Sequence, residues 1–173
     1  IVNKLLELLN SKLLTYLRKL DSNSICMFNE YFEEEITNEK NKICSYHNFS
    51  GAERKSIDLA CLFTFSDMRR LQGGVKYNIA IYDELFDSSF DEKGIELIAN
   101  TLKTDTDAKS LWLKRNPLNP LGIKHIADML KVNTTLETLD LLNTNMGDEG
   151  TKYIFEALKV NTGLKRLYLG ANN

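Results

Sequence analysis

Leu136-Glu137-Thr138-Leu139-Asp140-Leu141 returns 28 residues later as Leu164-Lys165-Arg166-Leu167-Tyr168-Leu169. The same phase, taken 28 residues earlier, gives Ala108-Lys109-Ser110-Leu111-Trp112-Leu113. Other markers keep the period. Gly122 and Gly150 are one period apart, as are the identical tetrapeptides Lys131-Val132-Asn133-Thr134 and Lys159-Val160-Asn161-Thr162. Asn116 and Asn172 share a marker position that Thr144 takes in the middle copy. The alternating leucines predict a short strand around Ser110–Leu113. Ile123, Ile126, Ala127 and Leu130 predict one buried face of a helix around Gly122–Lys131. A single strand–helix unit cannot bury both of its faces, so units of this kind stack on their neighbours.

The pattern over 108–173 resembles the ribonuclease-inhibitor type of leucine-rich repeat. That resemblance implies a protein ligand on the concave strand face. The outward strand positions form two columns: Trp112, Asp140 and Tyr168 in one, Ser110, Thr138 and Arg166 in the other. Trp112, Asp140, Tyr168 and Arg166 are the protein-contact candidates, because aromatics and Arg are favoured where binding energy concentrates. The alternative is that all of them are ordinary solvent-side residues of strands. The array stops inside a copy, at Gly170-Ala171-Asn172-Asn173, where an array is expected to carry further repeats or a cap.

Upstream, Ser50 is a natural helix N-cap, and Glu53 three residues on completes a capping box. Ile57, Leu59, Ala60, Leu62, Phe63 and Phe65 supply an apolar side, and the helix is predicted to stop before Gly73-Gly74. A Ser-Gly pair at a helix start offers free N–H groups, a hydroxyl and the positive dipole end to an anion; a capped helix with no ligand looks the same. Asn78-Ile79-Ala80-Ile81-Tyr82 is a continuous apolar run, which predicts a strand buried on both faces. It ends in Asp83-Glu84. An Asp there suits Mg²⁺, and a Glu beside it suits activation of a water. Leu85-Phe86-Asp87-Ser88-Ser89-Phe90 then leads to a helix starting near Asp91.

Ser50-Gly51-Ala52-Glu53, then Asp83-Glu84, then Phe86-Asp87-Ser88 resemble an ABC-type ATPase head. The closest likeness is to the C-terminal lobe of the SMC-like ATPases of DNA double-strand-break repair and phage recombination. The resemblance makes Ser50-Gly51 the start of a signature motif, which contacts ATP bound on a partner head. It makes Asp83 a Mg²⁺-site residue of Walker B, Glu84 the hydrolytic base and Asp87 the D-loop residue. Ala52 departs from the usual second glycine. No Gly-x-x-x-x-Gly-Lys-Ser/Thr loop occurs in the sequence, and in that family it lies in a separate N-terminal lobe. The switch His expected after Walker B is also missing: His125 falls in a repeat helix, and His47 precedes the signature.

Leu5, Leu6, Leu9, Leu13, Leu17 and Leu20 mark an amphipathic N-terminal helix, either the returning arm of a coiled coil or a packed surface helix. Ile25–Phe28 and Ile43–Tyr46 read as short strands. Glu33-Glu34-Glu35 reads as a solvated acidic run. The expected fold is therefore α/β: the C-terminal lobe of an ABC-type head followed by a short leucine-rich-repeat array. Its parts are 1–47 (helix and short strands), 48–107 (signature helix, Walker B strand, following helix) and 108–173 (repeats). One segment belongs to both patterns. Shifting the repeat back once more aligns Ala80 with Ala108, Leu85 with Leu113, Gly94 with Gly122 and Leu102 with Leu130, with Asp105 on Asn133. This predicts that Ile79–Tyr82 and Leu111–Leu113 are neighbouring strands.

Composition limits the function classes. The chain has 173 residues, 43% hydrophobic and 27% charged, with a net charge of −2. That describes a folded domain and not one held to nucleic acid by bulk charge. The near-neutrality is a cancellation, because the three parts carry −1, −4 and +3. Cys26, Cys44 and Cys61 have neither disulfide-framework nor metal-site spacing, and read as reduced core cysteines of an intracellular protein. The chain opens Ile1-Val2-Asn3 without Met or a signal-peptide pattern, so a piece of a longer chain is expected. No apolar run is long enough for a membrane span.

Two functions follow as expectations. The first is a partial ATP-binding head joined to a repeat module, inactive alone. Its ATP and Mg²⁺ would be completed by a P-loop-bearing N-terminal lobe or second head, with a nuclease subunit and DNA as further partners. The second is a repeat-type interaction module with idle ATPase motifs. A plain repeat protein whose first unit mimics Walker B is disfavoured by the signature segment.

Overall fold

The computed structural model describes residues 2–71, 73, 79–82 and 92–172. The fold is mixed α/β, with five α-helices among the described residues, and it divides into two compact units, Ile1–Val75 and Lys76–Asn173.

The first unit holds α1 (Val2–Lys19), β1 (Ile25–Phe28), β2 (Glu34–Thr37), β3 (Ile43–Cys44) and α2 (Gly51–Leu71). α1 buries Leu9, Leu13, Tyr16 and Leu17. Tyr16 stacks on Phe63 of α2 with ring centroids 5.5 Å apart. Asp67 of α2 anchors the same face, accepting from Lys12 Nζ at 2.8 Å and from the Tyr16 hydroxyl at 2.9 Å. Burial and the Asp67 hydrogen bond push the Tyr16 pKa up to about 12. α1 is thus a packed helix over this length. α2 buries Ser56, Ile57, Leu59, Ala60, Phe63, Thr64 and Met68. Leu62 and Phe65, expected on its apolar side, are exposed, because the buried arc is set by α1.

Glu33, Glu34 and Glu35 are exposed, as a solvated run, and Glu34 and Glu35 also open a strand. β2 is central in an antiparallel β1-β2-β3 sheet, pairing Cys26 with Ile36 and Ile36 with Cys44. Ile36 is its single deeply buried side chain, too few to give a period-two signal. β3 is shorter than expected, and Tyr46–Asn48 form a 3-10 turn instead. The three cysteines are free. Cys26 is buried and hydrogen-bonds Cys61, which raises its thiol pKa and lowers that of Cys61.

The second unit alternates strand and helix: β4 (Ile79–Ile81), α3 (Glu92–Lys103), β5 (Ser110–Trp112), α4 (Asn119–Leu130), β6 (Thr138–Asp140), α5 (Gly147–Leu158) and β7 (Arg166–Tyr168). The four strands form one parallel sheet in chain order. Register follows the repeat: Ser110 pairs with Thr138, and Thr138 with Arg166. Leu111, Leu113, Leu136, Leu139 and Leu141 are fully buried, together with Ile123, Ile126 and Leu130 of α4. The turn after each repeat strand places Arg115, Asn143 and Ala171 in left-handed backbone at φ of 59°, 54° and 55°. One repeat apart again, Lys109, Glu137 and Lys165 form an ion-pair column, with Glu137 between the two lysines at 3.4 and 2.9 Å.

Asparagines join successive repeats, Asn133 buried and Asn161 half-buried. Asn133 Nδ2–H donates to Leu102 O at 2.6 Å, and Asn161 Nδ2–H to Leu130 O at 2.7 Å. Their Oδ1 atoms accept the backbone N–H of the segment entering the next strand, from Leu136 at 2.7 Å and from Leu164 at 2.8 Å. Asp105 occupies the same position one period earlier and accepts from Ala108 N–H at 2.7 Å. Within the identical tetrapeptides it is Asn133 and Asn161 that supply these ties, a role the sequence period did not disclose.

The predicted neighbourhood of β4 and β5 is present, with a different register. Ile79 pairs with Ser110 and Ala80 with Leu111, so the strand offset is 31 residues and not 28. Asn116 confirms it: its Nδ2–H groups reach Leu113 O at 2.9 Å and Tyr82 O across the strands. Tyr82 therefore stands where Leu113 stands in the next copy, and the alignment of Leu85 with Leu113 is corrected. The 28-residue phase holds at Leu102 and Leu130, whose carbonyls accept from Asn133 and Asn161, so the additional residues lie between Tyr82 and Leu102. The expectation of a doubly buried strand is also corrected. Ile79 and Ile81 are 53% and 58% exposed, because β4 is the sheet's edge among the described strands and its outward face is uncovered there.

Candidate functional site

The signature segment forms the predicted capped helix start. Ser50 Oγ accepts from Glu53 N–H at 3.3 Å. In return the Glu53 carboxylate accepts from Ser50 N–H at 2.8 Å and from the Ser50 hydroxyl at 2.7 Å. These bonds satisfy donors that a helix start leaves open. Gly51 is exposed, and a Cβ there would meet nothing within 4 Å, so a ligand can approach its backbone. Ser50 itself is committed to Glu53. A phosphate group taking the Ser50 hydroxyl and N–H must displace that carboxylate, since both anions use the same donors.

The same bonds lower the Glu53 pKa below its ordinary 4.5. A carboxyl depressed on folding contributes stability above the unfolded-state pKa and loses it as pH falls through the folded value. Ser50→Ala is expected to destabilise the first unit by about 1 kcal/mol at neutral pH. It should also remove part of the stability loss between pH 5 and 3. Urea unfolding followed by circular dichroism at the two pH values checks this.

Asp83, Glu84 and Asp87, the Walker B and D-loop candidates, lie outside the described residues. Tyr82, which precedes Asp83, is fixed at the end of β4 by donating its N–H to Trp112 O at 2.8 Å. Ser50 and Gly51 belong to the first unit, and β4 to the second. Among the described residues no cluster of three or more His, Cys, Asp or Glu side chains suits a metal. His125 stands 3.5 Å from Glu92 on the helical side of the repeats, and His47 packs edge-on against Tyr46.

The strand face does bring its candidates together. Trp112, Asp140 and Tyr168 align across β5, β6 and β7 by direct pairing, as do Ser110, Thr138 and Arg166. These six residues line one open groove of about 330 Å³. Thr138, expected in solvent, is buried: Arg166 Nε–H donates to its Oγ1 at 3.1 Å. Ile79 and Ile81 extend the two rows onto β4. The apolar run predicts a covered strand, so nothing in the sequence places Ile79 and Ile81 on this face; the open edge does.

Comparison with known proteins bears on the first site. Over 120 residues, 69% of its length, the chain is 32% identical to "Exonuclease subunit 2" of Escherichia phage RB69. Over 104 residues, 60% of its length, it is 35% identical to "Exonuclease subunit 2" of Enterobacteria phage T4. It covers 21% and 19% of these proteins, about a fifth of the length of the curated relatives it matches. A 120-residue span in this chain begins by residue 54 and ends no earlier than 120, so it takes in Asp83 and Glu84. No family model matches the chain. At the coarse level of a phage exonuclease subunit, the likeness fits the expected relation to phage recombination proteins. Among the described residues no helix is long and apolar enough to cross a membrane.

Proposed function

We propose that this chain supplies the signature and Walker B part of an SMC-like ABC ATPase head serving a DNA-recombination nuclease, joined to a leucine-rich-repeat module. The observation that carries the proposal is the similarity to two phage exonuclease subunits over a span that contains Asp83-Glu84. The open backbone at Gly51 supports it. In this reading Ser50 and Gly51 contact the phosphates of ATP held by a partner head. Asp83 holds Mg²⁺, Glu84 takes a proton from the attacking water, and Asp87 is the D-loop contact. ATP and Mg²⁺ supply the phosphoryl chemistry only when a P-loop-bearing lobe or second head completes the site. A nuclease subunit and DNA are the partners of the assembly.

The test uses this chain together with the P-loop-bearing lobe. ATP hydrolysis by the assembly should fall about a hundredfold or more in Glu84→Gln, the scale of a lost general base. Ser50→Arg should abolish ATP-dependent association. The chain alone should not hydrolyse ATP. Unchanged turnover in Glu84→Gln overturns the assignment, and turnover by the chain alone that Glu84→Gln removes overturns its dependence on a partner.

The groove on the strand face supports a second role in the same chain, a protein contact surface made by Trp112, Asp140, Tyr168 and Arg166. If the ATPase motifs are idle, that role stands by itself as an interaction module.

A further inference from the structure

Asp140 sits between two aromatic side chains. It pairs directly with Trp112 on one side and with Tyr168 on the other, so all three emerge in one row from adjacent parallel strands. Strands are about 4.8 Å apart, which puts the two aromatic residues about 10 Å apart with the carboxylate between their bases. Trp112 and Tyr168 are 37% and 49% exposed, and both line the groove. Asp140 accepts the Leu142 N–H at 3.0 Å through Oδ1, and among the described residues no Lys or Arg pairs with it. The nearby cation, Arg166, is in the other row with its Nε–H on Thr138.

Each part of this arrangement favours the same occupant. A cation over an indole or phenol face is held by the ring quadrupole. A carboxylate at the floor adds a charge-assisted hydrogen bond and excludes anions. The rings shield that bond from water, which strengthens it. Ile81, next in the row on β4, is apolar and exposed, and suits the aliphatic stem of a long basic side chain or its apolar neighbour.

We infer that the Trp112–Asp140–Tyr168 row is a binding slot for an arginine or lysine side chain presented by a partner protein. The inference rests on the reading of the strand face as a protein contact surface, and it is independent of the ATPase motifs.

Trp112 is the chain's one tryptophan, so its fluorescence reports on the slot alone. The full chain is titrated with blocked tetra-arginine, tetra-lysine and tetra-glutamate peptides at fixed ionic strength. A saturable change in Trp112 emission is expected with the arginine and lysine peptides and not with glutamate. Asp140→Asn should weaken it about tenfold, and Tyr168→Ala should weaken it as well, with Tyr168→Phe retaining most of the binding. Circular dichroism confirms that the variants are folded. Equal binding of the glutamate peptide, or undiminished arginine binding in Asp140→Asn, overturns the cation slot while leaving a contact surface. No response to any peptide overturns the slot without touching the ATPase reading, which the Glu84→Gln experiment decides separately.

Discussion

Replacing Leu139 by Ala should cost the second unit about 3–5 kcal/mol, the range of a fully buried leucine truncated where its surroundings cannot collapse. Leu139 lies in the middle of the inward row, paired with Leu111 before it and Leu167 after it. It has no solvent exposure, and neither do Leu111, Leu136 or Leu141 around it. The backbone there is held on both sides by strand pairing, so the cavity remains. Trp112 emission follows the unfolding of this unit in urea, since the first unit contains no tryptophan. The midpoint should drop sharply with an unchanged slope. Leu142→Ala, two positions from Asp140 in a partly exposed turn, is the control. A loss below about 1 kcal/mol at Leu139 would show that the inward row is not the core of the stack.

Replacing Asn133 by Leu should cost about 3 kcal/mol, although the new side chain is apolar and similar in size. Asn133 is almost fully buried. It donates to Leu102 O at 2.6 Å and accepts from Thr135 N–H at 2.9 Å and Leu136 N–H at 2.7 Å. Leucine satisfies none of these: the buried Leu136 N–H and the half-buried Thr135 N–H lose their acceptor, and Leu102 O keeps only the Asp105 N–H at 3.3 Å. Transfer free energy favours leucine by a smaller amount than the unmet hydrogen bonds cost. The exposed neighbour Val132, changed to Ala, should move stability by no more than about 0.5 kcal/mol. The same Trp112 titration compares the two. A stabilised Asn133→Leu would mean that the asparagine column is dispensable to the stack.

Much of the second unit was legible because its order is one-dimensional. Leucines at fixed spacing specify a strand, and the period specifies which strand lies beside which, as Ser110, Thr138 and Arg166 show. The groove candidates followed from alternation alone: once Leu139 points inward, Asp140 points out. The failures have particular causes. β2 is not apparent in the sequence because Ile36 is its one buried residue and three exposed glutamates precede it. Ile79 and Ile81 were misplaced because an apolar run looks the same whether its outer face is covered or open. The register of β4 was misjudged because the period survives at Leu102 while residues are added between it and Tyr82. Asp83-Glu84 follow Tyr82 directly in the sequence, so the acidic motif falls in the stretch where the period is broken.

What the sequence by itself determined is the repeat, its period, the inward leucines, the outward rows and the capped start at Ser50. These depend on local spacing and on hydrogen bonds within a few residues. Tertiary structure decided which outward residues become a groove, that Asp140 stands between two rings, and that Asn133 and Asn161 tie each unit to the one before. Those outcomes require groups 28 or 31 residues apart to meet, as in the Asn161 bonds to Asn133 O and Leu130 O. Stacking supplies that proximity, because no unit can bury its own faces alone.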